Sequence, residues 1–354
     1  MKILAINFGS TSTKLAVFED ETRLDERSIS HDPAELLKFD DVYDQYDMRK
    51  ALVDEFLADN GLRYEDVGCV IVNGGLLPVP VEAGAYRVDQ KMIDDLYERP
   101  LNKHPGNFGP KLAYDICKAS GGLPLIYDSA TVDERDEEYK LTGVPEIKRD
   151  ARGHVLNTRA KALRLCKEKG WDYREKTIIV VHMGGGTGAN IQSHGRMIDA
   201  ISDDIGPFSP TRMGGVPGYE LVKLAMSGQY NYKALMNKLQ RQSGLMGHLG
   251  TTDLREVEKR IASGDHYADT VHKAMCILIA KAVGQLATDV NGAVDAIVLT
   301  GGMAYSRLTV ERINERVSFI APVFVMPGEE EMEAMAAGAL RVLKNEEGVK
   351  EYCG

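Results

Sequence analysis

A chain of 354 residues with 44% hydrophobic residues and a formal net charge of −10 is long enough for two domains of common size. Its charge argues against a role holding nucleic-acid backbone. No stretch approaches the roughly 18 uninterrupted apolar residues of a membrane span, and MKILAINFG lacks the apolar region and cleavage site of a secretory signal, so a cytoplasmic protein is expected. Five scattered cysteines (Cys69, Cys117, Cys166, Cys276, Cys353) without a C-x-x-C pair point to reduced thiols used in packing. The whole-molecule field repels anions, so any phosphate site has to be built locally.

Lys2 to Asn7, Lys14 to Glu19 and Arg23 to Ile29 alternate like strands, with DET at 20–22 as a turn. MRKALVDEFLADNG follows as a helix: Leu52, Val53, Phe56 and Leu57 recur at helical spacing, and Asn60-Gly61 supplies the stop. VGCVIVNGGLLPVP reads as a buried strand ending in a Gly-Gly turn. A helix from Gly106 leads into the strand of GGLPLIYDSATVDE, whose end carries Asp128, Ser129 and Thr131.

EKTIIVVHMGGGTGANIQSHGRMIDA then repeats the opening arrangement of strand, glycine-rich turn, strand, tight turn and strand. At a constant offset of 175, Asn7 meets His182, Gly9 meets Gly184 and Ser12 meets Thr187, the signature of an internal duplication. The chain continues with a long helix over YADTVHKAMCILIAKAVGQLATDV, whose apolar face is Val271, Met275, Leu278, Ile279, Ala282 and Leu286. The strand VDAIVLT runs into Gly301-Gly302, and APVFVMPGEEEMEAMAAGALRVLK closes as strand, Pro-Gly break and amphipathic helix. Two related α/β domains with a ligand cleft between them are expected.

The opening turn NFGSTSTK is no Walker A loop: it lacks the second glycine before the lysine and lies between strands rather than opening a helix. A strand-turn-strand loop still binds phosphate through successive backbone N–H groups, with Ser, Thr and Lys adding donors and charge. Alone it reads as an ordinary polar hairpin. Three further turns, VNGGLL, HMGGGTGAN and LTGGMAYS, also end apolar strands, where α/β sheets bind ligands and glycine allows close backbone approach.

These stretches, with HPGNFG, DSATVDE, HVLN, GPFSPTRMGGVP, GTTDLREV and MPGEEEMEA, resemble the acetokinase family of acetate and butyrate kinases, in the superfamily of sugar kinases, Hsp70 and actin. Spacing and length resemble its butyrate and branched-chain carboxylic acid kinase branch. The resemblance implies two duplicated ribonuclease-H-like (actin-like ATPase) domains, residues 1–152 with a returning C-terminal helix 330–354, and residues 153–329. It implies ATP/ADP and Mg²⁺ as cofactors, a small carboxylic acid or acyl phosphate as partner, and a homo-oligomer. It further implies that Asn7, Ser10, Ser12 and Lys14 cradle phosphate, and that Gly184, Gly185, Gly186, Asp253, Arg255, Gly301 and Gly302 hold the nucleotide. Arg212, His182, His154 and Asp128 would be catalytic, and Asp128, Glu329 and Glu330 would lie at the metal.

Each residue also has an ordinary role to play: Lys14 as a solvated edge residue, His182 as a hydrogen-bonded core histidine, Glu329 to Glu331 as acids at a helix start, Asp253 as an N-cap. The chain departs from the family at Phe8, at HPGNFGP, and most weightily at Asn73 and Pro78, where the branch carries basic residues. Losing a charge-assisted contact there removes about 1.5–3 kcal/mol. That leaves a weakened enzyme, a sensor, or a kinase for another small acid or a sugar as the alternative.

Overall fold

The structure, a computed structural model, describes residues 1–149 and 154–354. The chain divides into two compact units, residues 1–134 with 330–354, and residues 135–329. A domain boundary at 152/153 lies outside the described residues.

The first unit holds seven strands: β1 Lys2–Phe8, β2 Ser12–Glu19, β3 Thr22–Ser30, β4 Cys69–Val72, β5 Ala85–Arg87, β6 Leu123–Tyr127 and β12 Val349–Lys350. Their order in the sheet is β12-β5-β6-β4-β1-β2-β3. β1 runs antiparallel to β2 and parallel to β4, which runs parallel to β6. All four residues of β4 are buried, as expected of a parallel strand covered on both faces. The helices Gly109–Ser120 and Glu331–Leu343 pack on this centre. β5 and β12, only three and two residues long, carry no pattern that sequence reading detects.

The second unit has five strands: β7 Thr177–Met183, β8 Thr187–Ser193, β9 Arg196–Ile201, β10 Ala296–Gly301 and β11 Val323–Pro327, ordered β11-β10-β7-β8-β9. The repeat is structural. β7 begins and ends, and β8 begins, 175 residues after the matching points of β1 and β2. The second hairpin is tighter by one residue: Phe8 pairs with Thr13, whereas Met183 pairs with Thr187.

Side-chain alternation divides this unit's core. Ile179, Val181, Met183, Ile297 and Leu299 join one cluster with the long helix His266–Ala287, while Ile178, Val180, Ala296 and Val298 join Ala162 and Leu165 of the helix Val155–Lys169. On the long helix Leu278 is half-buried, and His272 is buried instead. Among the described residues no helix is long and apolar enough to cross a membrane. Cys69, Cys117, Cys166 and Cys276 are buried free thiols, and Cys353 is exposed.

His272 is fully buried: Arg312 Nη1 donates to its Nδ1 at 2.7 Å, so Nε2 carries the proton and donates to Thr309 Oγ1 at 2.9 Å. Burial first, then the charge of Arg312, pushes its pKa down to about 4. An unfolded chain takes up this proton near pH 6.5, so stability is present above that value and is lost as pH falls toward the folded value. Between pH 7 and pH 5 the wild type is expected to lose about 2 kcal/mol more than His272→Gln, measured by denaturant unfolding at each pH.

Candidate active site

In the first unit, Asn7 and Lys14 pair across the β1–β2 ladder and reach one carboxylate oxygen. Asn7 Nδ2 donates to Glu331 Oε2 at 2.8 Å and Lys14 Nζ at 3.1 Å. Glu331 opens the helix Glu331–Leu343, where the helix dipole favours an acid. Glu331 thus places a carboxylate beside these two residues, and Glu330 stands at the N-cap position without a side-chain capping bond.

The turn between the strands closes with Gly9 N–H donating to Ser12 O at 2.9 Å. Ser10 Oγ meets His104 Nε2 at 3.0 Å, and His104 Nδ1 accepts from Gly106 N at 3.0 Å, which assigns the ring proton to Nε2. Loss of water, aided by the charge of Arg49, holds His104 below the usual imidazole value. Beneath the turn lies Arg49, fully buried and bonded to the carbonyls of Ser10 and Ser12. Sequence reading missed it. Its signal was a cation on the helix face that Val53, Phe56 and Leu57 continue at i+4, i+7 and i+8.

Asp128 follows β6 with φ 43, the left-handed region, and its buried Oδ1 accepts the Gly84 N–H at 2.7 Å. Ser129 Oγ donates to Gly75 O at 3.3 Å and meets Thr131 Oγ1 at 3.0 Å. Asn73, just past β4, leaves Oδ1 buried without a hydrogen-bond partner.

In the second unit His182, 1% exposed, ends β7 on the face of the helix Val155–Lys169. Asn157 Nδ2 donates to His182 Nδ1 at 2.8 Å, which leaves the proton on Nε2, 3.2 Å from Glu329 Oε1. Asn157 stands in HVLN, yet only its histidine was picked out from sequence. His154 stacks on His182 with ring centroids 3.9 Å apart. Its side chain retains a solvent-facing edge, but loss of water first, then His182 and Arg212, pushes its pKa down to about 4.

Arg212 Nε donates to Asp203 Oδ2 at 2.9 Å, and its Nη1 to the Gln240 carbonyl. Ser209 Oγ and Thr211 Oγ1 donate to Gly185 O at 2.6 and 2.9 Å, tying the arginine segment to the Gly184–Gly186 turn. Gly301 has φ +85, and a Cβ there would lie 2.5 Å from Met183 O, so only glycine lets β10 pass the end of β7. These turns border a cavity of about 770 Å³ lined by Gly184, Gly185, Thr211, Asp253, Arg255 and Gly302, among others. Asp253 caps the helix Leu254–Ala262 and also holds Arg255 through two bonds of 2.9 and 2.8 Å. Those bonds bring its pKa down to about 2.

Of the carboxylates expected at a metal, Asp128 and Glu330 belong to the first unit, and Glu329 to the second. Among the described residues no three His, Cys, Asp or Glu side chains converge as a metal cage.

Two sheets that each open with an antiparallel strand triplet around a glycine-rich turn define the actin-like ATPase fold. Porphyromonas gingivalis acetate kinase shares it with a TM-score of 0.80 at 21% identity, over 97% of this chain and 99% of that one. Residues 160–321 match the model of the acetokinase family. The chain is 39% identical over 353 residues to butyrate kinase 1 of Clostridium acetobutylicum, and 39% over 352 residues to probable butyrate kinase 2 of Caldanaerobacter subterraneus subsp. tengcongensis, covering 99% of each partner and of itself. This protein belongs to the acetokinase family.

Asn caps a helix as well as Asp does, so Asp253→Asn separates capping from ligand contact. The melting temperature, read by scanning calorimetry, is expected to hold while ADP binding, read by calorimetric titration, weakens about threefold or more as Arg255 loses its charged anchor; unchanged ADP affinity would leave Asp253 a cap alone.

Proposed function

We propose that this protein is an ATP- and Mg²⁺-dependent carboxylate kinase that phosphorylates butanoate, or a closely related short or branched acid, to its acyl phosphate, and runs the reaction in reverse with ADP. The observation that carries this reading is the end-to-end likeness to butyrate kinase 1. An acid of ordinary pKa is already ionised at neutral pH, so its oxygen attacks the γ-phosphorus as the bond to ADP breaks, and no general base is required. The demand on the protein is positive charge and alignment.

Arg212 and His182 suit that demand. The guanidinium is anchored by Asp203 and the Gln240 carbonyl, and the imidazole is fixed by Asn157, so each aims a donor without reorganising. His154, with its pKa near 4, is neutral at physiological pH and acts as a hydrogen-bonding partner rather than a cation. Gly184, Gly185 and Gly302, with Asp253 and Arg255, line a cavity of nucleotide size. In the first unit Asn7, Ser10, Ser12 and Lys14 offer donors to phosphate oxygens.

Buried Asp128, with Glu330 of the same unit, would supply hard oxygen donors of the kind that Mg²⁺ takes, and an ion that keeps several waters needs no closed protein cage. When bound, the metal neutralises phosphate charge.

With ATP, Mg²⁺, hydroxylamine and acids of two to six carbons, hydroxamate formation is expected to peak at four carbons; no product with any acid would sink the proposal. Arg212→Ala should lower kcat about 10³-fold, with ADP affinity little changed. In Asn73→Arg, the same acid panel should show a lower KM for the preferred acid by about tenfold, the effect of a restored charge-assisted contact.

A further inference from the structure

Arg49 is 0% exposed. Its guanidinium sits 5.9 and 6.0 Å from the ring centres of Phe8 and Phe108. It donates to Ser12 O at 2.8 Å, Thr13 Oγ1 at 3.1 Å, Ser10 O at 3.3 Å, and through Nε and Nη2 to Gln45 Oε1 at 3.2 and 3.1 Å. Every one of these acceptors is neutral. Burial brings the guanidinium down to about 10, and among the described residues no carboxylate opposes that shift. The neighbouring titratable rings, His31 and His104, are both held below their usual value with the same arginine contributing.

A buried cation without a counter-ion is costly, and a neutral side chain of similar volume would satisfy the same cavity at less cost. What the charge adds is a positive potential directly under the β1–β2 turn, in a medium where little water screens it. The turn's own backbone is the part that Arg49 grips, since two of its acceptors are the carbonyls of Ser10 and Ser12.

We propose that Arg49 is a positioning residue that fixes the Ser10–Ser12 turn and leaves beneath it a net positive charge, for which the phosphoryl or acyl-phosphate anion seated on the turn is the counter-ion. This rests on the reading of that turn as a phosphate seat. Arg49 has no exposed surface from which to touch the anion; it acts through the turn and through the field. It also answers the loss at Asn73: the unit keeps a fixed cation near its anion seat, delivered from below.

Gln45→Glu tests the inference, because it places a carboxylate where Gln45 Oε1 now accepts from the guanidinium and so supplies an internal counter-ion at constant volume. Inorganic phosphate is titrated calorimetrically with the nucleotide cavity saturated by ADP. Gln45→Glu is expected to weaken phosphate binding about tenfold and to raise the KM for the acyl phosphate in the reverse reaction by a similar factor, with ADP affinity unchanged. Its melting temperature is expected to rise, an opposition of stability and binding that a merely structural arginine would not produce. Phosphate bound as tightly as by the wild type would overturn the proposal. If Gln45→Glu does not fold, Arg49→Lys, which keeps the charge, should hold phosphate at least about threefold more tightly than Arg49→Met, which lacks it, and equal affinity in the two would overturn it. Wild-type protein that forms hydroxamates yet shows no saturable phosphate binding would remove the seat, and this inference with it, while the proposed activity stands.

Discussion

The two-residue alternation of side chains along β7 and β10 is the constraint on which the second unit depends. Odd-numbered residues of β7 enter one core and even-numbered residues the other. His182 is even, so it emerges at the strand end on the face that carries the helix Val155–Lys169, and there Asn157 meets its Nδ1. A one-residue slip of the strand would send the imidazole into the opposite core and place Val181 at the turn. The packing of Ile178 and Val180 against Ala162 and Leu165 thus also sets the orientation of the His182 side chain.

Much of this was legible in the sequence because the same constraint writes a pattern there. Apolar runs of fixed period ending in glycine marked β1, β4, β7 and β10, and the offset of 175 survives in the strand limits themselves. Glycine at 301 was legible as a turn signal, and its reason is steric: the Met183 carbonyl occupies the space of a side chain. What escaped was decided by tertiary register. Three consecutive glutamates follow Pro327-Gly328, and sequence does not say which begins the helix; the helix opens at Glu331, whose carboxylate meets Asn7 and Lys14. Asn157 and Asp203 act through other side chains, and such partners leave no spacing signature of their own. Arg49 did leave one, a cation in register with Val53, Phe56 and Leu57, but an arginine in an amphipathic helix is more often a solvated neighbour of the apolar stripe.

Taken unit by unit, the cations singled out in this chain of net charge −10 fall into two groups. Lys14, Arg212 and Arg255 are half-exposed or exposed and each lies against a carboxylate, from Glu331, Asp203 and Asp253 respectively. Pairs with that much water around them contribute little to stability. An entering phosphate can replace the carboxylate as hydrogen-bond acceptor at small cost, and until then the carboxylate holds the cation in place and suppresses capture of unrelated anions. Arg49 is the opposite case, buried and with neutral partners throughout. It cannot exchange partners or swing toward a ligand, so its charge is constant through any binding event and its field adds to whatever the mobile cations provide. On the proposed reading, the exchangeable pairs lend selectivity in each unit and the fixed charge lends affinity in the first, and neither requires the surface as a whole to be basic.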